Sequence, residues 1–351
     1  MKQHYAVLDG LRGVAAVVVV LFHIRLQSTF NPMEYASYAV DFFYVLSGFV
    51  VALAYEKKLT STLSFRQFMT VRLIRLYPLI FLGISMGIAL AVLSFLVQGS
   101  PSISSIALAG GLGLLLLPSY VFPQWETAYP FNTAAWSLSF EVAVNIVYAS
   151  IALHLTNRRL IFLIIISATA LVAVGLSQGS FRFGSDQVSF LYGFVRVTYP
   201  FFIGVALFRI RPLMRPNTLV SVLLLVFLTA ILILPIQHNV FLGLALVILV
   251  MPAIVWSGAG VHPVPRVERL MLFIGQLSYP IYILHAPLLR VGAEIKHRMN
   301  LTGYYITLVD AIQVVSVLVF AYLALKFFDE PLRSWLNRRS RPTSPSVAAA
   351  R

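Results

Sequence analysis

The chain has 351 residues, of which 59% are hydrophobic and only 11% are charged. A soluble domain carries about 25% charged residues, so this composition excludes a water-soluble globular protein. The absence of cysteine excludes disulfides, thiolate nucleophiles and cysteine-ligated metals, while the net charge of +14 fits nucleic acid, anionic lipid, an anionic substrate or membrane topology.

Eleven apolar stretches have about the length that a helix needs to cross a membrane, which is about 20 residues. In chain order they are 7–26, 37–55, 76–97, 104–121, 134–155, 160–178, 190–209, 218–236, 239–257, 270–290 and 304–328. We therefore predict an all-α, polytopic membrane helix bundle over residues 1–335. The polar residues 336–351 are predicted to form a disordered cytoplasmic tail.

The basic residues are concentrated in alternate loops, which indicates how the chain is oriented. The five basic clusters are Lys57 to Arg75, Arg158 and Arg159, Arg209 to Arg215, Arg266 and Arg269, and Arg333 to Arg341. By the positive-inside rule these loops and both termini are cytoplasmic, which requires an even number of crossings. We predict ten crossings plus one re-entrant or interfacial segment at 104–121, where three glycines weaken the helix. This asymmetry explains most of the net charge, so we expect no nucleic acid partner.

The first predicted helix carries Arg12 and His23 on one face. They are eleven positions apart, about 20° past three full turns, and about 16 Å apart along the axis. Each intramembrane charge costs about 2.5–3.5 kcal/mol on insertion scales, which makes such residues functional candidates. The alternative is that Arg12 reaches the membrane interface and His23 is a packing residue.

The second predicted helix opens with Asp41, followed by Tyr44 and Gly48 on the same stripe. Asp41 is expected at the depth of His23, where a carboxylate could orient the imidazole as in a catalytic triad. The alternative is that Asp41 caps the start of the helix.

The segment before the third predicted helix contains Arg72 and Arg75, followed by Tyr77. The two arginines are one helical turn apart and could bind one anion together. Their alternative role is to set the topology of the chain.

Two later helices carry polar stripes. Ser137, Glu141 and Asn145 share one face of the fifth predicted helix, where Glu141 is a base or the partner of a cation such as Arg12, Arg196 or a histidine. Ser278, Tyr282 and His285 share one face near 270–290, although such residues also hydrogen-bond neighbouring helices without further function. Arg196 and Asp310 are lone intramembrane charges that either pair between helices or line a pathway.

Five motifs occur in a fixed order along the chain. They are Leu8-Asp9-Gly10-Leu11-Arg12-Gly13 followed by His23, DFFYVLSGF from Asp41, Arg72-x-x-Arg75-x-Tyr77-Pro78, WSLSFE ending at Glu141, and LSYPIYILH ending at His285. Together they resemble the acyltransferase 3 family of bacterial membrane O-acyltransferases, across most of the chain.

The resemblance implies a ten-helix enzyme of the bacterial cytoplasmic membrane. It would transfer an acyl group, usually acetyl from acetyl-CoA, to a hydroxyl of a surface polysaccharide, a lipopolysaccharide or a lipid-linked glycan precursor. Arg12 and His23 match the family's Arg–His pair, Arg72 and Arg75 match its donor-side RxxR motif, and Glu141 matches its acidic residue. Since some relatives carry an acceptor domain after the membrane domain, acceptor recognition here is expected in the membrane domain or in a separate periplasmic partner.

The motifs and stripes together give one candidate site. Its predicted catalytic residues are His23, Arg12, Glu141 and Asp41; its donor-binding residues are Arg72, Arg75, Arg12 and Tyr77; its acceptor-binding residues are Ser137, Tyr44, Asn145, Tyr282 and His285. We expect no metal, with acyl-CoA, the glycan acceptor and membrane lipids as partners. His23, kept basic by Asp41 or Glu141, would deprotonate the acceptor hydroxyl for direct transfer.

Two other functions fit parts of the sequence. Intramembrane charges also line the path of a secondary transporter or flippase for a glycan or lipid-linked substrate, although the chain has no evident inverted repeat. A second, unrelated family of membrane-bound acyltransferases uses an Asn and His pair, and we do not expect the Arg12 to His23 spacing in that family.

Overall fold

The structure is a computed structural model that describes residues 4–25 and 33–340. Its α-helices are α1 (Ala6–Arg25), α2 (Ala39–Leu59), α3 (Phe65–Gln98), α4 (Ile103–Leu114), α5 (Ala135–Ile151), α6 (Asn157–Gln178), α7 (Tyr192–Arg209), α8 (Thr218–Leu232), α9 (Val240–Ala259), α10 (Pro265–Arg298), α11 (Tyr304–Ala324) and α12 (Glu330–Arg339). A π-helical turn interrupts α9 at Leu246–Val250, and another, Leu325–Asp329, joins α11 to α12. Short 3₁₀ helices lie at Glu34–Tyr38, Pro123–Trp125 and Ala152–His154, and the strands β1 (Arg215–Pro216) and β2 (Val261–His262) pair in parallel.

Each of the eleven predicted stretches contains a helix, so the predicted all-α polytopic fold is confirmed. Among the described residues, eight helices are long and apolar enough to cross a membrane. α7 and α8, which are 18 and 15 residues long, also connect the two ends of the bundle. Large apolar side chains cover much of the outer surface of the bundle, as expected for a lipid-facing protein.

The loops rich in basic residues meet at one end of the bundle. Arg209 binds Glu56 through Nε at 3.0 Å, Asn157 Oδ1 through Nη1 at 2.8 Å and the Leu155 carbonyl through Nη2 at 2.8 Å. The pairing of β1 with β2 joins the ends of two further loops nearby. We call this the basic end, and it groups on one side the loops that the positive-inside rule predicted to be cytoplasmic.

The other end of the bundle is built from the remaining loops. Glu34 lies 3.7 Å from Arg182 Nη2 and accepts a hydrogen bond from the His238 backbone at 3.1 Å. Thr127 and Asp186 form an isolated antiparallel bridge. Burial and the nearby Arg182 lower the pKa of His238, so this ring is neutral near pH 7. We call this the opposite end.

The predicted re-entrant segment enters the bundle and returns to the end from which it started. α4 runs back along α3, so that Gly110 packs against Ile88 and the Leu114 carbonyl accepts a hydrogen bond from Tyr77 at 2.8 Å. The chain is again at the opposite end by Thr127. Since twelve residues of helix are about 18 Å long, α4 is too short to cross a hydrocarbon layer of about 30 Å.

Two of the boundaries predicted from the sequence were wrong. The helix predicted to begin at residue 76 begins at Phe65, because Ser64 and Gln67 form a capping box, so Arg72 and Arg75 are helical rather than in a loop. The predicted disordered tail begins too early, because α12 continues to Arg339. Residues 341–351 lie outside the described part of the chain.

α1 and α10 run parallel and in close contact through the centre of the bundle. A Cβ on Gly13 would lie 2.7 Å from the Ile274 carbonyl oxygen, and one on Gly275 would lie 2.5 Å from Asp9 Cβ. Only glycine permits this approach, which places the polar face of α1 directly against that of α10.

Candidate functional site

Two cavities lie one above the other along α1 and α10. The inner cavity, of about 110 Å³, lies toward the basic end, and its charged lining residues are Arg12, Arg72, Arg75 and Glu141. The outer cavity, of about 360 Å³, lies toward the opposite end and contains His23 and His285. Tyr282 and Val40 line both cavities. The two spaces are therefore separated at this point by a wall one side chain thick.

Arg12 is held at the inner cavity by α1 and α10 together. Its Nη2 binds Asp9 Oδ1 at 2.8 Å and the Gly275 carbonyl at 3.0 Å, and its Nε donates to Ser278 at 2.8 Å. Asp9, three residues earlier on α1, had no predicted role, although its spacing from Arg12 is that of a helical ion pair. Ser278 was predicted on the polar stripe with Tyr282 and His285 but was not among the predicted site residues.

Arg72 and Glu141 form an ion pair in the wall of the inner cavity. Arg72 Nη2 lies 2.7 Å from Glu141 Oε1, which also accepts a hydrogen bond from Ser47 at 2.8 Å. Arg72 is only 4% exposed, and its Nε is buried with no hydrogen-bond partner. Glu141 is thus the partner of a cation, one of the two predicted roles, but the cation is Arg72 and not Arg12, Arg196 or a histidine.

The inner cavity carries an excess positive charge, which comes from Arg75. The other two arginines have carboxylate partners, Asp9 and Glu141, whereas Arg75 makes no hydrogen bond or ion pair within the described residues. A partly buried guanidinium without a partner is costly, and it is well suited to bind an anion. The predicted anion-binding role of Arg75 is consistent with this geometry.

His23 and His285 lie side by side in the outer cavity, with ring centroids 4.7 Å apart. His23 Nδ1 lies 2.8 Å from the Val19 carbonyl, and His285 Nδ1 lies 2.6 Å from the Tyr282 carbonyl. A carbonyl only accepts, so each neutral ring carries its proton on Nδ1 and presents the lone pair of Nε2. The Nε2 of His285 is buried without a protein partner.

The predicted contact between Asp41 and His23 is absent. Asp41 is fully buried and accepts two hydrogen bonds from Arg196, at 2.9 Å and 2.6 Å. Arg196 also donates to the carbonyls of Phe183 and Ser37. Asp41 therefore joins α2 to α7, since a buried carboxylate binds the nearest guanidinium rather than a neutral ring.

The wall between the cavities is hydrogen-bonded. The hydroxyl oxygens of Ser137 and Tyr282 are 2.6 Å apart, and the Tyr44 hydroxyl donates to the Ser137 carbonyl at 3.1 Å. All three side chains line the inner cavity. The structure thus brings these three predicted residues together between the arginines and the histidines.

Two other predicted site residues lie outside both cavities. Asn145 donates to the Glu141 carbonyl one turn earlier, at 2.7 Å, so it does not face the inner cavity. The Tyr77 hydroxyl donates to the Leu114 carbonyl at the end of α4, as described above, and does not line the inner cavity. Asp310, predicted as a lone charge, pairs with Lys296 at 2.7 Å. Among the described residues, no three histidine, aspartate or glutamate side chains come together as a metal site requires.

Comparisons with known proteins match the chain to one family and to several relatives. The profile of the acyltransferase domain family, acyltransferase 3, matches residues 5–328. Over 182 residues, the chain is 35% identical to "Protein 2 in picA locus" of Rhizobium radiobacter, covering 48% of this chain and 94% of that protein. It is 25% identical to "Putative peptidoglycan O-acetyltransferase YrhL" of Bacillus subtilis (strain 168), covering 93% of this chain and 54% of that protein.

A third relative, "Acyltransferase MdmB" of Streptomyces mycarofaciens, is 30% identical over 40% of this chain and 37% of its own length. The chain thus spans about half of YrhL and less of MdmB. No solved structure matches the chain significantly. The family profile covers every motif from Arg12 to His285, including both cavities. The chain therefore belongs to the acyltransferase 3 family, and it is a multi-pass membrane acyltransferase.

Proposed function

We propose that this protein transfers an acetyl or other short acyl group from cytoplasmic acyl-CoA to a hydroxyl of a cell-surface polysaccharide, a lipopolysaccharide or a lipid-linked glycan precursor. Its location would be the bacterial cytoplasmic membrane. The observation that carries the proposal is the order of the two cavities. A cationic cavity lies toward the basic end, and beyond it lie two histidines whose Nε2 atoms have no hydrogen-bond partner among the described residues.

The donor side of the reaction fits the inner cavity. Acyl-CoA carries phosphates, for which the unpaired Arg75 supplies a cation. The thioester would lie at the wall formed by Tyr282 and Ser137, because this wall is shared with the histidine cavity. One proton of this pair is used in the hydrogen bond between the two hydroxyls, and Ser137 also lies 3.3 Å from the Ala134 carbonyl. One hydroxyl at a time would therefore donate to the oxygen that becomes negative during attack.

The acceptor side fits the outer cavity. His23 Nε2 accepts the proton of the acceptor hydroxyl while the hydroxyl oxygen attacks the thioester carbonyl. The carbon–sulfur bond then breaks, and the CoA thiolate takes the proton from His23. The predicted support of His23 by Asp41 or Glu141 is replaced by the Val19 carbonyl, which fixes the tautomer.

The name of YrhL supports an acetyl donor and a glycan acceptor for that relative, and we extend both classes to this chain. Membership of the acyltransferase 3 family favours acyl transfer over the transporter alternative, because transport requires no thioester chemistry.

The test uses the purified protein with acetyl-CoA and an isolated surface glycan. We expect release of free thiol only when the glycan is present, and transfer of label from the acetyl group to the glycan. His23→Ala should lower the rate by about 10²–10⁴-fold, because it removes the general base. The matched control is His262→Ala, which removes an exposed histidine of β2 outside both cavities. Glycan that gains no label, or a His23→Ala variant as active as the control, would contradict the proposal.

A further inference from the structure

A third cavity, of about 420 Å³, lies at the basic end between α2, α3 and α12. Its wall on the α2 and α3 side consists of Tyr55, Val71, Ile74 and Arg75. Its wall on the α12 side consists of Glu330, Arg333, Ser334 and Asn337. These last four residues follow the spacing i, i+3, i+4 and i+7, so one face of α12 points into the cavity.

Arg75 connects this third cavity to the inner cavity, because its side chain lines both. A long ligand could therefore lie in the two cavities at once and bend around one guanidinium. Arg75 has no ion pair within the described residues, so it is available to such a ligand.

Arg333 supplies a second cation to the third cavity. Its Nη2 binds Asp329 Oδ2 at 2.7 Å, whereas its Nε is buried and has no hydrogen-bond partner. Ser334 and Asn337 add neutral hydrogen-bonding groups on the same face.

Tyr55 adds an aromatic ring to the lining, and Lys58 Nζ lies 5.8 Å from the centre of that ring. Glu330 also lines the cavity, but both of its carboxylate oxygens accept hydrogen bonds from Lys326, at 2.8 Å and 3.1 Å. With that carboxylate paired, the cations, the hydroxyl and amide groups and the aromatic ring are suited to a phosphorylated nucleotide.

The distance to the histidines agrees with such a ligand. Arg12 lines the inner cavity together with Arg75, and His23 is about 16 Å further along α1. The pantetheine arm of CoA has about thirteen bonds from phosphorus to sulfur and advances about 1.2 Å per bond, which gives about 16 Å when extended. A diphosphate at Arg75 would thus allow the thioester to reach the wall in front of His23.

We propose that the third cavity binds the nucleotide end of the acyl-CoA donor, with the diphosphate at Arg75, the 3′-phosphate at Arg333 and the adenine against Tyr55. This inference rests on the proposed function, and it assigns to α12 the recognition of the 3′-phosphate. An anionic lipid headgroup offers the same phosphate chemistry, so the test must separate the two sources.

The experiment compares the binding of CoA and of dephospho-CoA, which lacks only the 3′-phosphate, by calorimetry on the full chain in detergent. The wild-type protein should bind CoA about tenfold more tightly, as one charged hydrogen-bonded contact provides. Arg333→Gln should weaken the binding of CoA about tenfold and change the affinity for dephospho-CoA by no more than about twofold, so that the preference for CoA disappears. Arg339→Gln is the matched control, because Arg339 stacks on Trp335 and lies off the cavity face.

Arg333→Gln leaves Asp329 without its partner, so a second variant guards against loss of folding. Asn337→Asp changes an exposed position and places a negative charge in the cavity, which should also reduce the preference for CoA. An unchanged preference in both variants overturns the inference. A role in lipid binding would also overturn it. In that case added phosphatidylglycerol raises the melting temperature of the wild-type protein but not of Arg333→Gln, while the preference for CoA is the same in both.

The same measurements separate this inference from the proposed function. A wild-type protein that neither binds CoA nor releases thiol overturns both. A wild-type protein that releases thiol with acceptor, but binds CoA and dephospho-CoA equally, overturns only the role of α12.

Discussion

Asp41 and His23 lie on neighbouring helices, yet they do not bind each other, and each has its own hydrogen-bond partners. Asp41 is fully buried, and both of its oxygens are occupied by Arg196. His23 takes its orientation from the backbone of its own helix. A buried charge is stable only when an opposite charge compensates it, so the arginine determines where the carboxylate binds.

This difference predicts different effects of two substitutions. Asp41→Asn should destabilise the protein by about 3–5 kcal/mol, because it leaves Arg196 buried without a counter-charge. His23→Ala should leave stability nearly unchanged while activity is lost. Thermal unfolding in detergent, followed by fluorescence, measures the first effect independently of any substrate.

The paired substitution of Asp41 and Arg196 by leucine is the control. It removes both charges together, so it should recover much of the stability that Asp41→Asn loses. If Asp41→Asn unfolds like the wild-type protein but is inactive, Asp41 acts in the reaction and its structural role is wrong.

The spacing of polar residues along each helix was sufficient to identify most of the candidate site. Arg12 and His23, Ser137 and Glu141, and Ser278, Tyr282 and His285 could be grouped because a helix repeats every 3.6 residues. Their partners could not be assigned in the same way. The pairing of Arg72 with Glu141 depends on how closely α3 approaches α5, which no single-helix pattern contains.

At the scale of elements, close packing of α2 against α7 holds Asp41 beside Arg196. A Cβ on Gly48 would lie 1.9 Å from the Phe201 carbonyl oxygen, and one on Gly204 would lie 2.1 Å from that of Val45. Neither backbone oxygen can move without displacing its helix. The two glycines therefore set the distance between the helices.

We expect Gly48→Ala to lower stability by about 1–3 kcal/mol through overpacking, and to lower activity because Ser47, which binds Glu141 of α5, shifts with α2. The matched control is Gly111→Ala on α4, where nothing lies within 4 Å of the added Cβ. This control should be neutral or should stabilise the helix by up to about 1 kcal/mol. Equal melting temperatures for the two variants would show that α2 and α7 can separate without cost.

The start of α3 was predicted eleven residues too late because its capping residues were not recognised. Ser64 and Gln67 have the spacing of a capping box, so the start of α3 is encoded locally. The apolar pattern did not show it, because Arg66, Arg72 and Arg75 precede the stretch that begins at Leu76. The continuation of α12 is also local, since Lys326 with Glu330 and Asp329 with Arg333 form ion pairs one turn apart.

For the whole molecule, the positive-inside rule gives a topology that the described contacts support. Counted over residues 4–25 and 33–340, ten helices connect the basic end to the opposite end, while α4 starts and returns at the opposite end. Loop charge predicted this grouping of the loops, because insertion responds to loop charge rather than to detailed packing.

Reporter fusions test the topology directly. Fusions after residue 100 and after residue 128 should give the same periplasmic signal, because α4 does not cross. A fusion after residue 60, at the basic end, should give the cytoplasmic signal and serves as the internal control. Opposite signals at 100 and 128 would make α4 a crossing helix.

The thin wall at Tyr282 has an electrical consequence for the proposed reaction. If water enters both cavities, most of the membrane voltage falls across the hydrogen-bonded hydroxyls of Tyr282 and Ser137, where the insulating layer is thinnest. The electrical work of moving one elementary charge through this layer is about 2.3 kcal/mol per 100 mV. A neutral acyl group passes with no electrical work, whereas a proton returned from His23 to the CoA thiolate moves through the field, so the polarity of the membrane would enter the energetics of acyl transfer.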